Sequence, residues 1–178
     1  MNKNHFVIYQ AITTLFIPFW IGFGRMFFGV GGWLIIGSII YTPILIVGMA
    51  ILTALTYARK DIRSASRVGL FEVITWSTMV ISGLVFGFTV VDFGDTEESV
   101  NSAFSAMFGH QYADLSSYIG TAAIYIFVIS ALVYFVYTLV RIIYSFIYVE
   151  SSDQPDSAQI PNDQVDEYQS ADAPKLPE

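Results

Sequence analysis

Residues 22–33 read GFGRMFFGVGGW and lie within an apolar region that runs from residue 6 to residue 57. A membrane span needs about 20 apolar residues in a helix, because the bilayer core is about 30 Å thick and each residue rises about 1.5 Å. The region is therefore too long for one span and long enough for two. Arg25 and the glycines mark the turn between the two spans, and Trp20 and Trp33 flank it at the level that interfacial aromatic side chains prefer.

The same glycine-rich stretch has two other interpretations. A phosphate-binding loop is excluded, because the glycines match neither G-x-G-x-x-G nor G-x-x-x-x-G-K-[ST] and no strand–turn–helix pattern surrounds them. A short re-entrant segment that lines a cavity stays open as an alternative, since backbone can leave the helical state inside a membrane only where protein or water satisfies its polar groups. We predict the hairpin turn.

The composition is typical of a membrane protein. The chain is 54% hydrophobic and 13% charged, with a mean hydropathy of +0.59, whereas ordinary globular chains are about 25% charged. Cysteine is absent, which excludes disulfides and thiolate metal sites. Four segments are long and apolar enough to span a bilayer: residues 6–24, 32–57, 68–91 and 118–140, the last continuing as a helix to about residue 149. The sequence thus predicts an all-α polytopic membrane protein, with two helical hairpins forming a domain over residues 1–149.

Basic residues predict the orientation of these spans. The connection after the second span reads ARKDIRSASRV and contains one acid and four basic residues, Arg59, Lys60, Arg63 and Arg67. Because basic loops stay on the cytoplasmic side, we place this loop and both termini in the cytoplasm of a bacterium, with the spans in its plasma membrane. The four basic residues are predicted to contact anionic lipid headgroups, with an acidic partner surface or the chain's own acidic tail as the alternatives.

The connection between the third and fourth spans predicts a short extracytoplasmic amphipathic helix. Asp95 followed by Glu98 resembles a helix start, and the apolar residues Phe104, Met107 and Phe108 then recur with helical spacing. The helix is expected to lie on the outer leaflet or to fold over its own bundle. The alternative is docking on a partner protein, with these three apolar residues as anchors.

The C-terminal part of the chain combines an extended helix with an acidic segment. Residues 1–149 hold seven basic and seven acidic residues, so the whole excess of negative charge lies in residues 150–178. That segment is too polar to form a core, and we predict a disordered acidic tail. Before it, Tyr137, Arg141 and Tyr144 recur on one face of the last helix. They suit an interfacial aromatic belt or a contact surface for another subunit.

Ionisable residues are nearly absent from the spans, and two glycines stand out. Glu72 is the one acid within an apolar segment, and an intramembrane acid suggests a functional role or an ion pair, here with Arg67 or Arg141. Gly83 and Gly87 form a GxxxG motif, which permits close helix packing either inside the bundle or between chains.

No motif in the sequence predicts catalysis. A nucleophile, base and stabiliser do not converge anywhere, and no cofactor, metal or nucleic acid is expected. His5 and His110 are predicted on opposite sides of the membrane and so could not share a metal or haem. We expect a non-catalytic accessory or assembly subunit of a larger bacterial membrane complex, for example a respiratory one, whose partners are larger integral membrane subunits and anionic lipids. The alternative is a small homo-oligomeric channel or transporter that uses Glu72.

Overall fold

A computed structural model describes residues 1–59, 62, 67–92 and 101–152 of the 178-residue chain. Four long helices occur in this part of the chain, α1 (Lys3–Phe23), α2 (Trp33–Ala58), α3 (Leu70–Thr89) and α5 (Ala113–Ser152), together with one short helix, α4 (Ala103–Phe108). All four long helices are long and apolar enough to cross a membrane. This confirms the predicted all-α class and the number of candidate spans. Residues 153–178 of the predicted acidic tail lie outside the described residues.

The glycine-rich stretch forms the predicted turn between α1 and α2. A short 3-10 helix, Gly24–Phe28, continues α1, and Gly29 then adopts the left-handed conformation with φ 72°. Its N–H donates to the carbonyl groups of Arg25 and Met26. A side chain at this position would strain the backbone, which explains the glycine. The chain reverses here, and α2 begins at Trp33.

The long helices are buried to different extents. α1 packs against α2 and α3, and α3 packs extensively against α5. In their most apolar stretches, 44% of the residues of α1 and α3 are buried, against 28% for α5 and 17% for α2. α1 and α3 therefore form the centre of the bundle. α2 and α5 lie at its two sides and contact each other little.

The GxxxG motif of α3 packs inside the bundle. A Cβ atom at Gly83 would lie 2.6 Å from Cγ2 of Ile17, and one at Gly87 would lie 2.7 Å from Cδ1 of Trp20. Both contacts are with α1 and are shorter than real Cβ contacts allow. The glycines thus let α1 and α3 approach closely within one chain.

Hydrogen bonds between short side chains hold α4 against the ends of α3 and α5. Ser102 is the N-cap of α4, and its hydroxyl lies 2.7 Å from that of Ser116 in α5. Ser116 in turn donates to the carbonyl oxygen of Thr89, the last residue of α3. α4 begins at Ala103, behind the cap that Ser102 provides, and the predicted helix start at Asp95 is not tested by the described residues. Residues 93–100 lie outside the described part of the chain.

Candidate functional site

Each end of the bundle buries an ion pair. We call one end the Arg59 end; it includes the N-terminus, the end of α2 and the start of α3. The opposite end, with the turn at Gly24–Phe28 and the end of α3, is the Arg25 end. The two ion pairs and the polar side chains around them form the most polar sites in the described residues.

At the Arg59 end, Arg59 and Glu72 form a buried ion pair. Arg59 Nη2 lies 3.0 Å from Glu72 Oε1, and the two side chains are 0% and 3% exposed. The hydroxyl of Tyr137 donates to the same carboxylate oxygen at 3.0 Å, and the guanidinium carbon of Arg59 lies 5.3 Å from the centre of the Tyr137 ring. Glu72 is also in the first turn of α3, where the helix dipole favours a negative charge. α2, α3 and α5 thus all contribute to compensating this carboxylate.

This arrangement differs from the expectation for two residues. Arg59 was expected to contact lipid headgroups, and Glu72 was expected to pair with Arg67 or Arg141. The structure instead buries Arg59 against Glu72, because a buried carboxylate is costly unless a cation lies beside it. Arg67 is exposed and bridges to the backbone of Asn2, and Arg141 is exposed on α5. The other two predicted headgroup contacts, Lys60 and Arg63, lie outside the described residues.

A network of neutral polar side chains extends from this site into the bundle. Gln10 of α1 donates to the hydroxyl of Tyr134 in α5 at 2.9 Å, and this hydroxyl lies 2.8 Å from Oγ1 of Thr56 in α2. The hydroxyl of Thr56 donates to the carbonyl oxygen of Leu52, one turn earlier. The indole of Trp76 in α3 packs edge-on against the Tyr134 ring. Four helices therefore meet around one tyrosine in the interior.

At the Arg25 end, Asp92 accepts hydrogen bonds from two elements. Arg25 Nη1 lies 3.3 Å from Asp92 Oδ2, with both side chains 1% exposed, and Arg25 also donates to the hydroxyl of Tyr41 at 3.1 Å. The backbone N–H of Leu34 donates to Asp92 Oδ1 at 2.9 Å. Gly32, the N-cap of α2, has no side chain for this purpose. Asp92, which follows α3, therefore caps α2 from a distant position in the sequence.

Asp92 is a site residue that was not predicted from the sequence. A usable signal was present, because Asp92 directly follows the third apolar segment and Arg25 interrupts the first apolar region at the same predicted membrane side. Two isolated charges of opposite sign at one level of a membrane are candidates for an ion pair. Tyr134 gave no such signal, since it is one of 11 tyrosines in an aromatic-rich chain.

The three apolar residues predicted on α4 have different environments. Phe104 packs against Phe88 of α3, with 6.0 Å between ring centres, and is only partly exposed. Met107 and Phe108 are 57% and 56% exposed. Phe104 therefore fastens α4 to its own bundle, and the other two face outward; docking of these residues on a partner protein stays a prediction.

The three predicted contact residues on α5 also have different environments. Tyr137 contacts Glu72 and Arg59 inside the bundle, as described above. Tyr144 is 53% exposed and Arg141 is exposed as well, both beyond Tyr137 toward the end of the helix. Contact of Arg141 and Tyr144 with another subunit stays a prediction.

An apolar groove separates α2 from α5 along the side of the bundle. It has a volume of about 390 Å³, and the described residues that line it are all nonpolar; they include Leu45, Gly48 and Leu52 of α2 and Val128, Ala131 and Phe135 of α5. Gly48 is exposed here, and a Cβ atom built on it would meet no described atom within 4 Å. Unlike Gly83 and Gly87, Gly48 has no contact with the described residues that would require a glycine.

Metal binding has no evident site in the part of the chain that the structure describes, where no three His, Cys, Asp or Glu side chains are grouped. Comparison with known proteins found no match to this chain among protein-family models, curated proteins or solved structures.

Proposed function

We propose that this chain is a non-catalytic accessory or assembly subunit of a larger membrane protein complex, and that a helix of a larger subunit packs into the groove between α2 and α5. The observation that carries the proposal is Gly48, an exposed glycine in the middle of a long membrane helix, for which no neighbour among the described residues requires a glycine.

A glycine inside a membrane helix is favourable mainly where close packing requires it. Glycine in a helix interior is about 1 kcal/mol less favourable than alanine in soluble helices. Membrane helices use small residues where another helix backbone approaches closely, because little hydrophobic force otherwise drives association in lipid. Gly48 lies in the groove on α2, and Ala131 lies in it on α5. Both small residues suit the approach of a third helix from outside the chain.

The interior of the bundle supports the same proposal. Both buried ion pairs are closed within one chain: Arg25 and Asp92 are far apart in sequence, and Arg59 and Glu72 join the end of α2 to the start of α3. Such contacts fix the relative positions of the helices, which suits a scaffold. The lateral surface of α2, of which only a small share is buried, is then available for a partner.

The proposed setting follows from charge and hydropathy. The protein would lie in a bacterial plasma membrane with both termini in the cytoplasm, because Lys3, Arg59 and Arg67 all lie at the Arg59 end. Exposed Arg67 would contact anionic headgroups there, together with Lys60 and Arg63.

The experiment compares wild type with Gly48→Leu at native abundance. Tagged protein is extracted in a gentle detergent and analysed by native sizing and mass spectrometry. We expect wild type to retain larger membrane subunits and Gly48→Leu to lose them at least about tenfold, since about 1.4 kcal/mol of lost packing produces that change. The leucine fits the open space at residue 48, so the chain itself should remain folded.

Ala50→Leu is the matched control. It adds similar bulk to the same helix at an exposed residue outside the groove, and we expect it to retain the partners. Equal recovery of partners with wild type and Gly48→Leu would contradict docking in the groove. Recovery of wild type without other subunits would contradict the accessory role itself.

A homo-oligomeric channel or transporter is the second candidate, and Glu72 is the observation that favours it. Its Oε2 atom is buried without a hydrogen-bond partner in the described residues, and an intramembrane acid of this kind is a frequent site of coupling. Recovery of the chain alone as a defined homo-oligomer in the same experiment would favour this alternative, and flux measurements in liposomes would then follow.

A further inference from the structure

An exposed apolar surface lies at the Arg25 end, on α4 and the residues that follow it. It consists of Met107, Phe108, Tyr112 and Leu115, all of which are exposed. We call this surface the α4 patch. On the other side of α4, Ala103 and Ser105 are buried. α4 therefore turns one face to the bundle and leaves the α4 patch outside.

The level of the α4 patch relative to a bilayer follows from α3. α3 has 20 residues and so spans about 30 Å, which equals the thickness of the hydrocarbon core. The last turn of α3 therefore lies at the boundary between acyl chains and headgroups. Phe88, in this last turn, packs edge-on against Phe104 of α4 at 6.0 Å. α4 is thus at the boundary and not far out in water.

A row of aromatic contacts holds α4 at this level. Trp20 of α1 packs against Phe28 of the turn, with 6.4 Å between ring centres, and Phe28 packs against Phe88, with 5.4 Å between ring centres. Phe104 continues the row into α4, and the Ser102–Ser116 hydrogen bond fixes the start of the helix. Because α1, the turn and α3 all support α4, the direction of the α4 patch is set by the bundle.

We propose that the α4 patch inserts into a phospholipid leaflet at the headgroup–acyl boundary. α4 has the sequence AFSAMF and carries no charged side chain, so this binding depends on apolar burial and does not require anionic headgroups. Tyr112, with an apolar ring and a polar hydroxyl, suits the same layer. This inference is independent of the α2–α5 groove, which lies along the side of the bundle.

Because the chain lacks cysteine, spin labelling tests this proposal directly. Met107→Cys and Phe108→Cys are labelled with a nitroxide, and the full chain is reconstituted in phosphatidylcholine vesicles. Electron paramagnetic resonance then measures the collision rates of each label with oxygen, which concentrates in the bilayer, and with a water-soluble nickel complex. We expect both labels to show an oxygen-to-nickel ratio several-fold above that of a label in water.

Two positions provide the references. Gln111 is exposed and polar and lies next to the α4 patch, so a label at Gln111→Cys should report the water side. Ile126→Cys is exposed in the middle of the α5 span and should report the acyl region. Ratios at residues 107 and 108 between these references support the proposal. Ratios equal to that at Gln111 would overturn it, and the α4 patch would then be a surface for a water-exposed partner. Repetition in vesicles with anionic lipid should leave the ratios unchanged; a marked rise there would overturn the assignment of purely apolar binding.

Discussion

At the scale of single residues, the carboxylate of Asp92 has two structural tasks. It compensates the buried charge of Arg25, and it accepts the N–H of Leu34 at the start of α2. Because Gly32 cannot cap α2 with a side chain, the start of this helix depends on a residue about 60 positions later in the chain. The two tasks can be separated by substitution.

We expect Asp92→Asn and Asp92→Ala to destabilise the protein by different amounts. Asn keeps an oxygen for Leu34 but leaves the charge of Arg25 buried without compensation, which costs about 3 kcal/mol. Ala also removes the helix cap, for about 1 kcal/mol more. Unfolding in detergent micelles, followed by circular dichroism, measures both. Exposed Asp114→Asn serves as control and should change little. Equal stability of wild type and Asp92→Ala would contradict the capping role and the ion pair together.

The sequence predicts part of these ion pairs. Glu72 stands out because it is the one acid inside an apolar segment, and the need for a cation beside it follows from the cost of burying a charge. The sequence does not identify which cation pairs with Glu72, since Arg59, Arg67 and Arg141 all lie at the same predicted membrane side. The choice of Arg59 depends on how the end of α2 meets the start of α3, and that geometry is set by the whole bundle.

At the scale of elements, glycines distinguish closed helix contacts from open ones. Gly83 in α3 faces Ile17 at close range, whereas Gly48 in α2 faces open space. A side chain is therefore excluded at residue 83 and tolerated at residue 48. A single added methyl group tests both.

We expect Gly83→Ala to destabilise the bundle by about 1–3 kcal/mol, because the new methyl group would overlap Ile17 and force α1 and α3 apart. Gly48→Ala should have no effect or stabilise the isolated protein by up to about 1 kcal/mol, because alanine is the better helix former. The unfolding measurement in detergent compares the two variants. A larger loss for Gly48→Ala than for Gly83→Ala would contradict the assignment of the two contacts.

Hydropathy predicts the long helices well and the short one poorly. An apolar segment of about 20 residues forms a helix in lipid, since a helix satisfies all backbone hydrogen bonds within the segment. α4 has no such constraint. Its start depends on Ser102, whose hydroxyl both caps the helix and reaches Ser116. The acids at 95 and 98, which resemble a helix start as well, lie outside the described residues.

At the scale of the whole molecule, four candidate spans predict that the N-terminus and the C-terminal part of α5 lie on one side of the membrane, at the Arg59 end of the bundle. Lys3, Arg59 and Arg67 lie at this end. The excess of basic residues predicts that it faces the cytoplasm.

We expect Gln111→Cys to react with a membrane-impermeant maleimide in intact cells, and Asn4→Cys to react only after the membrane is permeabilised. Both residues are exposed and lie at opposite ends of the bundle, and the cysteine-free chain gives no background labelling. Labelling of Asn4→Cys in intact cells would reverse the proposed orientation.

The sequence of this chain does not predict which helices lie at the centre of the bundle and which lie at its sides. Periodicity is weak in segments that are apolar on all sides, so α2 gives no sign that most of its surface is left uncovered. The central position of α1 and α3 becomes explicable afterwards: α1 carries Gln10 and Thr13 toward the interior, and α3 carries Gly83 and Gly87. The groove beside Gly48 follows from this order.

The two ion pairs also have a consequence for biogenesis. Translation delivers α1, the turn and α2 to the membrane first, with Arg25 and Arg59 at the two ends of this hairpin. Both partners, Glu72 and Asp92, are synthesised later, at the start and immediately after the end of α3. Until the ribosome has produced α3, the two guanidinium groups must remain in the headgroup layers or beside the insertion machinery. The nascent first hairpin is therefore an incomplete unit, and arrival of α3 is the step that commits the chain to its final place in the bilayer.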